Sequence, residues 1–202
     1  MSNINNIDCL VIYGPSGVGK STIISEIMEY YSDLFDFTVS HTSRHIRPGE
    51  DEGVDYYFVT RDKILDMIKN KEFIEHTEFA GNFYGTSKKA INDIMQHKKI
   101  CILDLDLNGI KSMKQLNYKS LYVCIIPPSV EELRKRLTLR SENEESIERR
   151  IRQAQQDMND DTYKLFDKVI VNDNLQDAID KLKLYVHPLW DEPNNEYSNV
   201  PI

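Results

Sequence analysis

A glycine-rich turn directly after an apolar run constrains the fold of this chain more than any other feature. The run Cys9–Tyr13 leads into Gly14-Pro-Ser-Gly-Val-Gly-Lys-Ser-Thr22, and residues 21–31 continue with helical character. The fixed positions of the P-loop pattern are occupied by Gly14, Gly19, Lys20 and Ser21. A strand, a tight turn and a helix in this order predict an α/β fold with the turn at the edge of a mainly parallel sheet.

The residue types of this turn suit the binding of a nucleotide phosphate. Glycines let the backbone curl so that successive N–H groups point at phosphate oxygens. The helix that follows adds the positive end of its dipole. In this pattern Lys20 neutralises charge on the β- and γ-phosphates, and the Ser21 hydroxyl is a ligand of Mg²⁺. We therefore expect a nucleotide-binding protein.

Further apolar runs predict the remaining strands of the sheet. They are rich in Val, Ile and Leu and largely lack alternation, which is typical of strands buried on both faces. We expect strands over residues 37–39, 100–105, 121–126 and Lys168–Val171. We expect helices over residues 61–70, from Ser129, over residues 147–163 and over Leu175–Val186. Strands that alternate with helices predict a three-layer α/β core.

Composition and charge exclude several classes of protein. Of the 202 residues, 40% are hydrophobic, and 25 Lys and Arg stand against 33 Asp and Glu. The resulting net charge of −8 disfavours a general binder of the DNA or RNA backbone. No run approaches the roughly 20 apolar residues of a membrane span, and the polar start lacks the layout of a secretory signal. Three separated cysteines indicate reduced thiols, so we expect a cytoplasmic protein without membrane or nucleic-acid partners.

An arginine-containing segment predicts a second anion site. In Ser40-His-Thr-Ser-Arg44-His-Ile-Arg47-Pro-Gly-Glu50, two arginines lie three residues apart beside hydroxyls and a glycine. Guanidinium groups match the geometry of phosphate, so this segment suggests a pocket for a second phosphate group. The alternative is a solvated loop in which the arginines pair with Glu50 or Asp51.

Two carboxylates are further candidates for binding residues. Glu75 precedes the segment Gly81-Asn-Phe-Tyr-Gly-Thr-Ser87, and a carboxylate beside hydroxyls and aromatics is suited to reading the edge of a base. A surface glutamate is the alternative. Asp104 ends an apolar strand, a position that supports Mg²⁺ or substrate in P-loop proteins, whereas a cap of the next helix is the other interpretation.

A cluster of arginines near residue 140 predicts a lid. Six of them occur within 19 residues, at positions 134, 136, 140, 149, 150 and 152, and the polar segment Ser141-Glu-Asn-Glu-Glu145 lies between them. A loop flanked by arginines between two helices is suited to closing over a triphosphate and supplying transition-state charge. We expect Arg140 and Arg150 to be the functional pair and Arg134 and Arg152 to be solvated surface residues. Some arginines of the cluster should form helical ion pairs with Glu145 and Glu148.

Taken in chain order, these segments resemble the guanylate kinase family over about residues 7–186. The resemblance also rests on Gly53-Val-Asp-Tyr56, Phe73-Ile-Glu75, Asn82-Phe-Tyr84-Gly85-Thr86, Ile102-Leu-Asp104-Leu-Asp106 and Val169-Ile-Val-Asn172-Asp. It implies a P-loop core formed by residues 7–40, 91–136 and 151–190. It also implies a GMP-binding insert at about 41–90 and a lid at about 137–150, with residues 191–202 as a flexible tail.

The resemblance further implies transfer of the γ-phosphoryl group of ATP to GMP, and to dGMP, with Mg²⁺, by a monomer or weak dimer. ATP would bind to Gly14, Pro15, Ser16, Gly17, Val18, Gly19, Lys20, Ser21, Thr22 and Asn172. The GMP phosphate would bind to Ser40, Arg44, Arg47 and Tyr56, with Tyr84 nearby, and guanine to Glu75, Thr86 and Asp104. Charge on the transferring group would be neutralised by Lys20, Arg44, Arg140 and Arg150.

Two departures from the family pattern and two other functions stay open at this point. Ile46 stands where the family has proline, and a shorter lid leaves the choice between Arg149 and Arg150 unsettled. A guanylate-kinase-like binding module would lack a working phosphate turn, which this chain has. A P-loop kinase for another phosphate, such as ribose bisphosphate, would have no use for Glu75 and Thr86.

Overall fold

Two β-sheets organise the chain. The computed structural model describes residues 7–79, 81–139 and 143–189, so Arg140 and the expected tail at 191–202 lie outside it. The strands are β1 (Cys9–Tyr13), β2 (Phe35–Phe37), β3 (His41–Thr42), β4 (Tyr57–Phe58), β5 (Phe73–Phe79), β6 (Asn82–Ser87), β7 (Ile100–Asp104), β8 (Ser120–Ile126) and β9 (Lys168–Val171). The helices are α1 (Lys20–Tyr30), α2 (Arg61–Lys69), α3 (Lys88–Gln96), α4 (Leu107–Met113), α5 (Val130–Leu139), α6 (Glu144–Asp157), α7 (Asp160–Tyr163) and α8 (Leu175–Val186), followed by a 3-10 helix (His187–Leu189).

The larger sheet is parallel, with β1 at its centre. Its strand order is β2-β7-β1-β8-β9, and Val11 of β1 pairs with Leu103 on one side and Tyr122 on the other. All five strands therefore end at the same edge of the sheet. The turn after β1, Asp104 at the end of β7 and Asn172 just after β9 meet at this edge, where open α/β sheets bind their ligands.

Apolar layers cover both faces of this sheet. Leu10 and Ile12 point to a core formed with α1 and α8, whereas Val11 points to a core formed with α3 and α4. Successive side chains of a strand face opposite sides, so a strand covered on both faces is apolar throughout. The three-layer α/β architecture predicted from the apolar runs is confirmed. Among the described helices, none combines the length and the apolarity needed to cross a membrane.

The smaller sheet lies within residues 41–87 and has the order β4-β3-β6-β5. Its strands β5 and β6 are antiparallel, with an irregularity between Phe73 and Glu75, and α2 packs on it through Ile64 and Met67. Helix α4 of the core packs against β5, and β6 continues into α3. These two connections join the small sheet to the core.

The structure differs from the predicted elements at three places. The strand expected at 37–39 lies at Phe35–Phe37, because Phe35 is the residue that enters the core and pairs with Ile100. The helix expected at 147–163 is divided into α6 and α7, where the Asn159 side chain accepts a hydrogen bond from the Thr162 N–H and caps a new helix. Helices α3 and α4 and the strands of the smaller sheet were not predicted.

Removal of apolar volume from the central sheet should destabilise the fold far more than removal at the surface. Ile102 is 0% exposed, whereas Leu184 on α8 is 77% exposed. We expect Ile102→Ala to lower the free energy of unfolding by about 2–5 kcal/mol. The control Leu184→Ala should change it by less than about 0.5 kcal/mol. Urea denaturation measures both, and equal losses would contradict this packing.

Candidate functional site

The turn between β1 and α1 depends on glycine for both space and conformation. A Cβ at Gly14 would lie 2.2 Å from the carbonyl oxygen of Ile125, which leaves no room for a side chain. Gly19 has a φ of 99°, and a Cβ there would lie 2.7 Å from Nδ2 of Asn172. Because α1 begins at Lys20, its free N–H groups point into the same turn. The result is a backbone concavity suited to a phosphate group.

Lys20 connects this turn to the end of β7. Its Nζ donates a hydrogen bond of 2.6 Å to the Gly14 carbonyl and lies 3.7 Å from Oδ1 of Asp104. Desolvation raises the pKa of Asp104, and the nearby Lys20 ammonium acts in the opposite direction. The side chain of Lys20 is thus held at the mouth of the turn by one neutral and one acidic partner. Both are acceptors that a phosphate oxygen could replace.

One arginine of the expected lid reaches the phosphate turn. Arg150 on α6 donates a hydrogen bond to the Ser16 hydroxyl, whereas its neighbour Arg149 is exposed. Helices α5 and α6 pack together through an apolar cluster that includes Leu137 and Ile151. Arg134 of α5 forms ion pairs with glutamates at the start of α6. Arg140 lies outside the described residues, so the structure places only Arg150 of the predicted pair.

Asn172 fixes the opposite side of the turn. Its side chain is 3% exposed, and Nδ2 donates a hydrogen bond of 2.7 Å to the Val18 carbonyl. Its Oδ1 has no hydrogen-bond partner among the described residues. Arg136 donates to the carbonyl oxygens of Asn172 at 3.0 Å and Asp173 at 3.3 Å. These residues line a cavity of about 450 Å³ beside the turn.

Arg136 was not predicted to line this site. Its spacing of four residues from Glu132 indicates a helical ion pair, and the structure contains that pair at 3.1 Å. The bonds to the residues after β9 depend on packing between distant segments. The only feature of the sequence that pointed to these bonds was the large number of arginines on α5 and α6.

Arg44 and Glu50 form the strongest charge pair of the second arginine segment. The two guanidinium nitrogens of Arg44 donate to the two carboxylate oxygens of Glu50 at 2.9 and 2.8 Å. The backbone N–H of Arg47 donates to the same carboxylate, while the Arg47 side chain is exposed. The pairing lowers the pKa of Glu50 and raises the pKa of Arg44. The pairing considered as an alternative therefore exists for Arg44.

Although it is paired with Glu50, Arg44 still lies among the residues that we predicted to bind the second phosphate. Its guanidinium carbon lies 5.5 Å from the centre of the Tyr56 ring, and it also interacts with the Tyr84 hydroxyl. The Tyr56 and Tyr84 rings are 6.0 Å apart. Glu50 thus holds the Arg44 guanidinium next to both tyrosines.

Glu75 and Thr86 form a part-buried polar pair across β5 and β6. Oε1 of Glu75 accepts hydrogen bonds from the Thr86 backbone N–H at 3.0 Å and from the Thr86 hydroxyl at 2.9 Å. The hydroxyl of Ser40 lies 3.2 Å from that of Thr86. Burial raises the pKa of Glu75 above its ordinary value, although the bonds from Thr86 oppose this shift. A carboxylate in such a position favours a ligand that supplies N–H donors.

Comparison with known proteins agrees with these features. A sequence profile described as guanylate kinase matches residues 7–188. The chain belongs to the guanylate kinase family. It is similar to human guanylate kinase, with 46% identity over 176 residues that cover 86% of this chain and 89% of the human protein. The pig guanylate kinase is 44% identical over the same shares of the two chains.

Solved structures of the family and of a related fold are also similar. A crystal structure of guanylate kinase from Anaplasma phagocytophilum has a TM-score of 0.65 and 29% identity, and the match covers 93% of this chain and 88% of that one. The SH3-kinase fragment of tight junction protein 3 has a TM-score of 0.52 at 14% identity, which is a likeness of fold alone. The family membership expected from the motifs is confirmed.

Proposed function

We propose that this chain transfers the γ-phosphoryl group of ATP to GMP or dGMP, which gives ADP and the guanosine diphosphate. The proposal is carried by the position of Lys20 between the phosphate turn and Asp104. An intact phosphate turn also favours an enzyme over a binding module. The pair of Glu75 and Thr86 favours guanine over another phosphorylated acceptor.

Glu75 is suited to distinguishing guanine from adenine. Guanine presents the N1–H and N2–H donors on one edge, and a carboxylate can accept both. Adenine has an acceptor at N1 and no 2-amino group, so it would offer this part-buried carboxylate no donor and set a ring-nitrogen lone pair against it. The backbone N–H of Thr86 would keep its bond to Glu75, while the Thr86 hydroxyl turns to donate to guanine O6. Asp104 would face the guanine base together with Glu75 and Thr86.

The reaction needs positioning and charge more than proton transfer. The acceptor is an ionised phosphate, so no general base is required. Arg44 and Tyr56 would hold the GMP phosphate with Ser40, Arg47 and Tyr84. The exposed Arg47 side chain would turn inward on binding. Lys20, Arg44, Arg140 and Arg150 would neutralise the charge that develops on the transferring group.

The phosphate turn fits a magnesium-bound triphosphate. Ser21 lies in the first turn of α1 and offers a hydroxyl ligand for Mg²⁺, which keeps most of its other ligands from water and phosphate. Within the described ranges, no three acidic, His or Cys side chains form a separate metal cluster. When bound, Mg²⁺ would offset charge on the β- and γ-phosphates. The orphaned Oδ1 of Asn172 would accept a hydrogen bond from the adenine amino group.

The same proposal assigns parts of the chain to parts of the reaction. Residues 41–90 would be the GMP-binding insert, and residues 137–150 a lid that closes over ATP. Such closure would exclude water from the transferring phosphoryl group. A cytoplasmic monomer or weak dimer stays our prediction for the state of the protein.

Loss of the Lys20 ammonium should remove catalysis and leave GMP binding largely intact. We expect Lys20→Ala to lower kcat by about 10³-fold, because the charge on the β- and γ-phosphates loses its nearest fixed cation. Initial rates of ADP release and calorimetric titration with GMP measure the two effects. Lys164→Ala, at an exposed position directly after α7, is the control. A Lys20→Ala enzyme at full rate would refute the assignment of the turn.

Loss of the Glu75 charge should weaken the discrimination between GMP and AMP. A site that hydrogen-bonds its substrate rejects an analogue without the donor by about 10⁴-fold, and Glu75→Gln should remove most of that ratio. The measurement is kcat/KM for both nucleotides. Glu78→Gln, on the same strand but exposed, is the matched control and should leave the ratio unchanged. Unaltered discrimination in Glu75→Gln would place base recognition elsewhere.

The neighbouring arginines of α6 allow a direct test of the lid. Arg150→Ala should lower kcat by about 10²-fold or more, because Arg150 reaches the phosphate turn. Arg149→Ala should change kcat by less than about twofold, since an exposed surface charge contributes little. Single-turnover rates with saturating ATP and GMP compare them. The reverse order of effects would assign the role to Arg149.

A further inference from the structure

Gly109 occupies a helical position for which backbone conformation gives no reason to choose glycine. It is the third residue of α4 and is buried, and its φ angle is not positive. In a helix, glycine is less favourable than alanine because it loses more conformational freedom on folding. The reason for glycine here must therefore be sought in what surrounds the residue.

The surroundings of Gly109 are tight for a methyl group, so a neighbour would have to move by a few tenths of an ångström to admit one. A Cβ built on it would lie 3.1 Å from Cγ of Glu75, 3.2 Å from Cβ of Leu105 and 3.4 Å from Oδ1 of Asp106. Leu105 is buried in the core beneath the sheet. Oδ1 of Asp106 accepts a hydrogen bond of 2.7 Å from the Gly109 N–H and caps the helix. Of the three neighbours, the side chain of Glu75 is the one least fixed by the core.

We infer that Gly109 is a positioning residue for recognition of the guanine base, an inference that rests on the proposed role of Glu75. Without a side chain at this position, the first turn of α4 lies directly against the stem of Glu75. The helix supports the stem from one side, while the N–H and hydroxyl of Thr86 hold Oε1 from the other. The carboxylate is therefore held in one orientation before the nucleotide arrives.

This contact also links the two halves of the site. The segment from Asp104 to Gly109 runs from the carboxylate beside Lys20 to the helix turn that supports Glu75. Helix α4 packs on β5, the strand that carries Glu75. This short segment therefore positions groups at both the phosphate-binding and the base-binding parts of the site.

A methyl group at residue 109 should disturb Glu75 and little else. We expect Gly109→Ala to lower kcat/KM for GMP by about tenfold through a higher KM, since displacement of a binding group by a fraction of an ångström is costly. The KM for ATP and the kcat at saturating GMP should stay within about twofold. The midpoint of thermal unfolding should not fall, because alanine is the better helix former.

The test is a double-mutant cycle with Glu75→Ala, measured by steady-state kinetics and by calorimetric titration with GMP. If Gly109 acts through Glu75, Gly109→Ala has no further effect on GMP affinity in the Glu75→Ala background, where the crowded Cγ is gone. Lys111→Ala, on the exposed side of the same helix, is the matched control. An unchanged KM for GMP in Gly109→Ala, or effects that simply add in the double variant, would overturn the inference.

Two further outcomes separate the inference from what it rests on. If Glu75→Gln itself leaves GMP recognition intact, the proposed role of Glu75 fails, and this inference fails with it. If Glu75→Gln weakens GMP binding while Gly109→Ala does not, only the inference fails. Should Gly109→Ala prove unstable, Glu75→Ala in the same chain removes the crowded Cγ. Restored stability would then support the contact, and continued instability would contradict it.

Discussion

Every residue of β1 is buried, with β7 hydrogen-bonded along one edge and β8 along the other. A parallel strand in this position brings its own carboxyl end, and those of its neighbours, to one edge of the sheet. The turn that leaves β1 is confined there by the Ile125 carbonyl on one side and by Asn172 on the other. The location of Lys20, Asp104 and the start of α1 follows from this confinement.

The cations of the site already have partners in the structure. Lys20 donates to the Gly14 carbonyl, Arg44 is paired with Glu50, and Arg150 donates to the Ser16 hydroxyl. These local acceptors hold the cations in place before an anion binds. Phosphate oxygens would then exchange with acceptors in place, so little reorganisation is needed during the reaction.

The parts that could be predicted from the sequence are those with a local physical cause. The phosphate turn has its own glycine spacing, and the central strands are apolar without alternation because both faces are covered. Helix α8 was predicted with its observed bounds, and the Asn174 side chain caps it. The local pattern left Glu75 as either a base-reading carboxylate or a surface glutamate, and the family resemblance supplied its role and that of Thr86. The structure places these two residues in contact.

The parts that could not be predicted depend on contacts between distant segments. Strands β3 and β4 have two residues each and lack a continuous apolar run. Whether Arg44 pairs with Glu50 depends on how the loop folds back on itself. The bonds of Arg136 to the chain after β9 join segments that are 36 residues apart in the sequence. The reason for glycine at position 109 is visible only in the structure, where α4 lies against the side chain of Glu75.

The most direct test of this account is the rate of ADP release with ATP and Mg²⁺ against GMP, dGMP, AMP, CMP and UMP. Strong turnover with GMP and dGMP alone is the predicted result, because only guanine offers two N–H donors to the part-buried carboxylate of Glu75. The absence of turnover with every nucleotide, from protein that still binds GMP, would contradict the account and favour a binding module. Equal turnover with AMP would contradict the recognition of guanine by Glu75.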